Sequence, residues 1–170
     1  MGGYNSGDQA SRIVVETLRD SAREFISQNE MLSAEDILSS IRHASKRVNR
    51  IAKQNKLPKG MGSTVAAVYF NRRNLIACNV GDSNIYLIRD NEMELISIPH
   101  TVVNEYKPDN PEMANRFKSK YGNLLTRGVG IKEDVKAIEY KILSREKEIK
   151  AEVKSKYIEV LYAHYLQELR

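Results

Sequence analysis

Four short apolar segments fill the stretch from Gly60 to Ile98, and each of them ends at residues that favour turns. The segments are rich in β-branched and aromatic residues, and Asn, Asp and Gly separate them, which is typical of strands joined by hairpins. Their bounds are Thr64–Phe70, Leu75–Val80, Ile85–Ile88 and Glu92–Ile98. Because connections this short cannot form parallel crossovers, the sequence predicts a meander of consecutive antiparallel strands.

Two amphipathic helices are predicted before these strands. From Ala10 to Asn29, apolar residues recur at the spacing of one helical face. Ser33 begins a second helix, with Asp36 in the capping-box position, and this helix ends near Asn55. Helices followed by an antiparallel sheet predict an α+β fold in which the helices cover one face of the sheet.

The final third of the chain carries weaker signals. Beyond two prolines, the sequence predicts a short helix at Glu112–Lys120 and a strand at Leu124–Val129. From Ile131 onward Gly and Pro are absent, and acidic and basic residues alternate. We expect an extended piece at Val135–Leu143, followed by a long charged C-terminal helix from Ser144, because the apolar residues there approximate one helical stripe.

Composition excludes several classes of protein. The chain has 170 residues, of which 41% are hydrophobic, and this is the length of a single domain. No apolar run approaches the ~18 residues of a membrane span and no secretory signal is visible, so we expect no membrane partner and a cytoplasmic location. The net charge is +5, but acids stand beside the bases throughout, which argues against a nucleic-acid partner. Cys78 is expected to be a buried structural residue.

Four collinear motifs carry a resemblance to a known family. Two of them are central, Gly60-Met61-Gly62-Ser63-Thr64 and Gly81-Asp82-Ser83. Upstream, Met1-Gly2-Gly3 matches the end of a D-G-M-G-G motif, and downstream Leu125–Gly130 reads L-T-R-G-V-G against L-T-R-A-L-G. In order and spacing they resemble the metal-dependent serine/threonine phosphatases of the protein phosphatase 2C family (PP2C, PPM), especially bacterial ones. Pro99-His100 stands where that family often carries D-H.

The resemblance implies an antiparallel β-sandwich flanked by helices. It also implies hydrolysis of phosphoserine and phosphothreonine in proteins, by a water molecule that two Mg²⁺ or Mn²⁺ ions activate. Asp82 matches a weak metal position of the third-metal type, and its alternative role is that of a turn aspartate bonded to its own backbone. Met1, Gly2 and Gly3 match the remnant of the metal loop. The other matched positions are implied to be scaffold residues: Gly60, Gly62, Thr64, Gly81, Ser83, Thr126, Arg127 and Gly130.

The family's remaining metal-binding aspartates have no match in the printed sequence. The D-G of D-G-M-G-G would precede Met1, and neither S-D-G nor D-N-x-T occurs between Tyr140 and Arg170. We therefore expect a PP2C-like domain truncated at both ends, with a partial phosphatase domain at 1–135 and a divergent segment at 136–170. Such a chain would hold Mg²⁺ or Mn²⁺ weakly and would lack phosphatase activity by itself, and its catalytic residues stay unassigned.

Three interpretations of the function remain open. The chain could be an incomplete phosphatase domain, a non-catalytic pseudophosphatase or regulatory module acting through its scaffold and C-terminal helix, or an unrelated basic binding protein. Sheets that lack strands at both ends of the chain would have unpaired edges, which recruit other strands. The sequence therefore also predicts a homodimer or strand exchange between copies.

Overall fold

The computed structural model describes residues 6–28, 32–57, 60–70, 74–106, 111–122, 124–132, 135, 138–143 and 150–154. In chain order the elements are α1 (Gly7–Ser27), α2 (Ala34–Gln54), β1 (Val65–Phe70), β2 (Asn74–Val80), β3 (Asn84–Arg89), β4 (Glu92–Leu95), α3 (Val102–Glu105), α4 (Pro111–Tyr121), β5 (Ile138–Leu143) and β6 (Lys150–Lys154). Within these ranges, no helix is both long and apolar enough to cross a membrane.

The two predicted N-terminal helices are confirmed. At the start of α2, the Ser33 hydroxyl accepts from the Asp36 N–H, and the Asp36 carboxylate accepts from the Ser33 N–H at 2.8 Å, so the capping box is complete. The buried faces of α1 and α2 share one core cluster, which includes Ile13 of α1 with Ile41 and Val48 of α2. That cluster continues into β1 and β2, so the helix pair covers one face of a sheet.

The strands form two three-stranded antiparallel sheets, in the orders β1-β2-β5 and β4-β3-β6. Strand β2 is buried on both faces. Ile76 and Cys78 belong to the cluster with the helices, whereas Leu75 and Ala77 pack with Ile85 of β3. The second sheet therefore lies against the face of the first sheet that the helices leave uncovered, which is the face-to-face arrangement that the resemblance implies. Cys78 is fully buried, as expected.

The predicted meander is wrong at its centre. Strands β2 and β3 follow each other closely but belong to different sheets, and the chain passes between them at Gly81, whose φ is +97°. An L side chain rarely adopts this conformation, and a Cβ at Gly81 would lie 2.9 Å from the Cβ of Thr64. The glycine thus lets the chain turn out of the first sheet instead of pairing β3 with β2.

Strand β4 is shorter than the predicted Glu92–Ile98. It ends at Leu95, because the next two residues depart from the ladder with β3. The backbone N–H groups of Ile96 and Ser97 both donate to the carbonyl of Ile85, at 3.0 and 3.4 Å. The Ser97 hydroxyl accepts from the Ile85 N–H at 2.8 Å, so a side chain replaces a strand-to-strand bond there.

The strand predicted at Leu124–Val129 is also wrong. Leu125 makes a single antiparallel bridge with Thr101, and Val129 makes one with Ser63. Because this segment pairs with two different partners a few residues apart, no continuous ladder forms. The segment then turns at Gly130, whose φ is +90°.

The long C-terminal helix predicted from Ser144 is wrong at Lys150–Lys154, which form β6. The register pairs Ile85 with Val153 and Leu87 with Ala151. This pairing satisfies the backbone groups along one edge of β3, an advantage over a helix that local periodicity does not reveal. Residues 144–149 and 155–170 lie outside the described part of the chain. The extended piece predicted at Val135–Leu143 is confirmed as β5 over Ile138–Leu143.

Candidate functional site

The two central motifs meet at one end of the β1–β2 hairpin. Val65, the first residue of β1, pairs with Val80, the last residue of β2. Thr64 and Gly81 therefore stand side by side just beyond the ladder. The hydroxyl of Thr64 lies 2.8 Å from that of Ser83, within hydrogen-bond distance, and Ser83 is buried. These contacts explain why small and hydroxyl residues occupy both motifs.

His100 makes two hydrogen bonds to the Gly81 turn. Its backbone N–H donates to the Gly81 carbonyl at 2.9 Å, and its ring Nδ1 accepts from the Gly81 N–H at 3.0 Å. Because Nδ1 accepts, the neutral ring carries its proton on Nε2. Burial lowers the pKa of His100 below its ordinary value of 6.5, the Arg127 guanidinium lowers it further, and the Glu105 carboxylate acts in the opposite direction. The imidazole is therefore neutral at physiological pH.

The L-T-R segment reaches the same end of the sheets through His100. The Thr126 N–H donates to the His100 carbonyl at 3.0 Å. Arg127 pairs with Glu105 at the end of α3, with 3.1 Å between Nη2 and Oε1; Arg127 is partly buried and Glu105 is exposed. Thr126 and Arg127 thus connect the loop after β4 to the segment before Gly130.

Gly130 fastens the end of that segment to α2. Its N–H donates to the Ser45 hydroxyl at 2.9 Å, and its carbonyl accepts from Asn49 Nδ2 at 3.2 Å. A Cβ on Gly130 would lie 2.8 Å from the carbonyl oxygen of Met61 and would overlap the Val48 side chain. The Gly60–Thr64 motif is close by, since Ser63 and Val129 exchange backbone hydrogen bonds of 3.0 and 2.9 Å. Gly60 itself has a φ of +66° but open space around it.

Asp82 is exposed beside these loops. Its role as a weak metal ligand, and the alternative of a turn aspartate bonded to its own backbone, both stay predictions. An exposed carboxylate can hold one hydrated Mg²⁺ or Mn²⁺ ion weakly. In the described ranges, no three His, Cys, Asp or Glu side chains are grouped to hold a metal ion. These residues therefore do not fit a two-metal centre. Met1, Gly2 and Gly3 lie outside the described residues.

Several residues that hold this end of the sheets together were not candidates from sequence. In the sequence, His100 is only half of an altered D-H pair, and Ser45 and Asn49 are only positions on a helix. Asn79 is buried in β2, and its Nδ2 lies 3.3 Å from the Gly81 carbonyl and 3.2 Å from that of Ile98. A signal was present, because an Asn inside an otherwise apolar strand is costly to bury without partners. His43, by contrast, is exposed on α2.

A family model described as Protein phosphatase 2C matches residues 1–123 of the chain. Among curated proteins, the chain is 29% identical to the serine/threonine phosphatase stp of Listeria welshimeri over 140 residues, which is 79% of this chain and 54% of that protein. It is 26% identical to the protein phosphatase PhpP of Streptococcus pneumoniae over 140 residues, 79% of this chain and 55% of that protein. The chain thus spans about half the length of these curated relatives.

Solved structures share the fold. The serine/threonine phosphatase Stp1 from Staphylococcus aureus superposes with a TM-score of 0.69 at 24% identity, covering 84% of this chain and 57% of that one. The catalytic domain of the serine/threonine protein phosphatase PstP, solved in complex with two manganese ions, has a TM-score of 0.65 at 23% identity and covers 85% and 59%. At this level of identity the likeness establishes the architecture alone.

Proposed function

The chain belongs to the protein phosphatase 2C family, and we propose that it serves the metal-dependent hydrolysis of phosphoserine and phosphothreonine in proteins. In this proposal its described residues supply the scaffold, and Asp82 is a weak peripheral ligand for Mg²⁺ or Mn²⁺. The observation that carries the proposal is the convergence of the family motifs, since Thr64, Gly81, Ser83 and Thr126 lie at one end of the sheets beside Asp82.

The chemistry of the family sets a limit on what these residues do alone. Two metal ions that clamp a phosphate and activate water require several carboxylates in fixed positions. Of the described residues, Asp82 is the one carboxylate that a family metal motif matches, and no group of three metal-ligating side chains accompanies it. We therefore propose that hydrolysis needs carboxylates beyond Asp82, and that the 170 residues by themselves are catalytically incomplete. A cytoplasmic location likewise stays a prediction.

Paramagnetic broadening by Mn²⁺ tests the proposed role of Asp82. Titration of the isotope-labelled chain with Mn²⁺ in the millimolar range should selectively broaden the backbone NMR signals of Asp82 and Ser83, because an ion held by one carboxylate binds weakly. Asp82→Asn should abolish this broadening. Asp90→Asn is the matched control, since Asp90 is also exposed at a turn but lies at the far end of β3. Equal broadening at both turns, or broadening that survives Asp82→Asn, would refute the role of Asp82.

A further inference from the structure

His100 is a buried histidine for which the two-metal chemistry has no use. Its side chain is 1% exposed, and only one ring nitrogen, Nδ1, has a hydrogen-bond partner among the described residues. Burying the other nitrogen, Nε2, without a partner is unfavourable. An apolar residue would fill the space without that cost, so an imidazole at this position calls for a role that an apolar residue lacks.

The hydrogen bond that the Gly81 N–H donates to Nδ1 of His100 supplies that role. The turn carbonyl accepts from both the His100 N–H and Asn79 Nδ2, at 2.9 and 3.3 Å, so it would keep a donor if one were lost. The turn N–H has one acceptor in the described part of the chain, the Nδ1 atom of His100. Removing that atom leaves a buried backbone N–H unsatisfied, which costs more than the bond itself contributes.

The geometry around Gly81 makes this bond decisive for the neighbouring residue. Gly81 already has a positive φ and lies against the side chain of Thr64. A Cβ at Gly81 would overlap the Thr64 side chain, and both the N–H and the carbonyl of Gly81 bond to His100. Asp82 follows Gly81 directly, so the direction in which its carboxylate leaves the sheets depends on how Gly81 is held.

We propose that His100, as a neutral imidazole protonated on Nε2, is a positioning residue that fixes the Gly81–Asp82 turn and thereby presents Asp82 to solvent. The proposal rests on the proposed function only in giving Asp82 a metal to bind. The position of the turn itself is measurable without metal. The carbonyl of His100 also accepts from Thr126, so the same residue ties the turn to the L-T-R segment.

Two isosteric variants separate positioning from filling of the core. The amide oxygen of Asn lies close to where Nδ1 of histidine does, whereas the amide of Gln lies closer to Nε2. His100→Asn should therefore keep an acceptor for the Gly81 N–H, and His100→Gln should lose it. His43→Gln is the matched control, because His43 is exposed on α2.

The hydrogen-exchange rate of the Gly81 amide, divided by that of core amides of β2, reports whether the turn is held in place. In His100→Gln this ratio should rise about tenfold or more, the effect of leaving one buried donor unsatisfied. In His100→Asn and His43→Gln it should stay within about threefold of the parent chain. A residue that only fills the core would change all amides together and leave the ratio constant. In the parent chain, ¹⁵N NMR should show the His100 proton on Nε2.

The outcomes distinguish the inference from the proposed function. An exchange ratio that stays constant in His100→Gln, or a ring proton on Nδ1, overturns the positioning role whatever Mn²⁺ does. If the ratio rises in His100→Gln and Mn²⁺ broadening at Asp82 is lost there but kept in His100→Asn, both proposals stand. If the ratio rises but Mn²⁺ never broadens Asp82 in the parent chain, positioning of the turn stands and the metal role of Asp82 fails.

Discussion

Replacing Gly130 by Ala tests how the motif segments are fastened to the helices. Gly130 has a φ of +90°, so an alanine there adopts a strained conformation. Its Cβ would also press on the Met61 carbonyl oxygen and the Val48 side chain. We expect the shift that relieves this overlap to weaken the 2.9 Å bond from the Gly130 N–H to the buried Ser45 hydroxyl.

Gly60→Ala is a control that separates the cost of the positive φ from the cost of the overlap. A left-handed conformation costs alanine about 1–2 kcal/mol, and the gain from a stiffer unfolded chain offsets about 0.4–1 kcal/mol of that. Overpacking adds about 1–3 kcal/mol and a weakened hydrogen bond about 1 kcal/mol more. We therefore expect Gly130→Ala to lower the free energy of unfolding by about 2–6 kcal/mol. Gly60→Ala, with positive φ but open space, should cost only about 1 kcal/mol.

Urea unfolding followed by circular dichroism measures both variants. Adding Val48→Ala to Gly130→Ala should recover part of the loss, because it removes one of the two overlapping groups, so the two changes should not be additive. If Gly130→Ala costs no more than Gly60→Ala, the tight approach of this segment to α2 is refuted.

Three further predictions concern the same packing. Ser45→Ala should lower the free energy of unfolding in urea by about 1–3 kcal/mol, because the Gly130 N–H and the Lys132 carbonyl lose their bonds of 2.9 and 2.7 Å to the hydroxyl. The control Ser39→Ala changes an exposed serine and should not destabilise the chain, so equal effects would count against the Ser45 bonds. The pKa of His100 is lowered in the folded chain, so as the pH falls the unfolded chain binds a proton before the folded chain does. The contribution of His100 to the free energy of unfolding should therefore be complete above pH 6.5 and decrease as the pH drops below it. Between about pH 7.5 and about pH 5.5, the free energy of unfolding should decrease more in the parent chain than in His100→Asn, and equal decreases would contradict this. Sedimentation over a concentration series should show a dimer that Met93→Lys weakens. The reason is that β4 is an end strand of the described sheet, with Met93 57% and Leu95 45% exposed. A monomer at every concentration would refute the predicted dimer.

Local chemistry made much of the fold predictable. The capping box at Ser33 and Asp36 located the start of α2, and turn residues located both ends of β1, β2 and β3 to within a residue. The family resemblance correctly implied two sheets face to face. The resemblance also identified Thr64, Gly81 and Thr126, which lie in loops that come together at one end of the sheets.

Long-range pairing was the part that the sequence could not reveal. A turn at Gly81 is compatible with a hairpin or with a change of sheet, and the choice depends on contacts with Thr64 and His100. Lys150–Lys154 fit a helical stripe equally well, but pairing with β3 decided their structure. The alternative of a regulatory module acting through a C-terminal helix loses the part of that helix predicted at Lys150–Lys154. The division at residue 135 stays a prediction, although β5 and β6 pair with strands from the first part.

The described residues belong to a PP2C-family scaffold, and we propose that Asp82 is the single carboxylate among them at a metal position. Hydrolysis of p-nitrophenyl phosphate by the purified 170-residue chain, with and without Mn²⁺, tests it most directly. We predict no hydrolysis above the metal-free background, and no difference between the parent chain and Asp82→Ala. Mn²⁺-dependent hydrolysis that Asp82→Ala abolishes would contradict the claim.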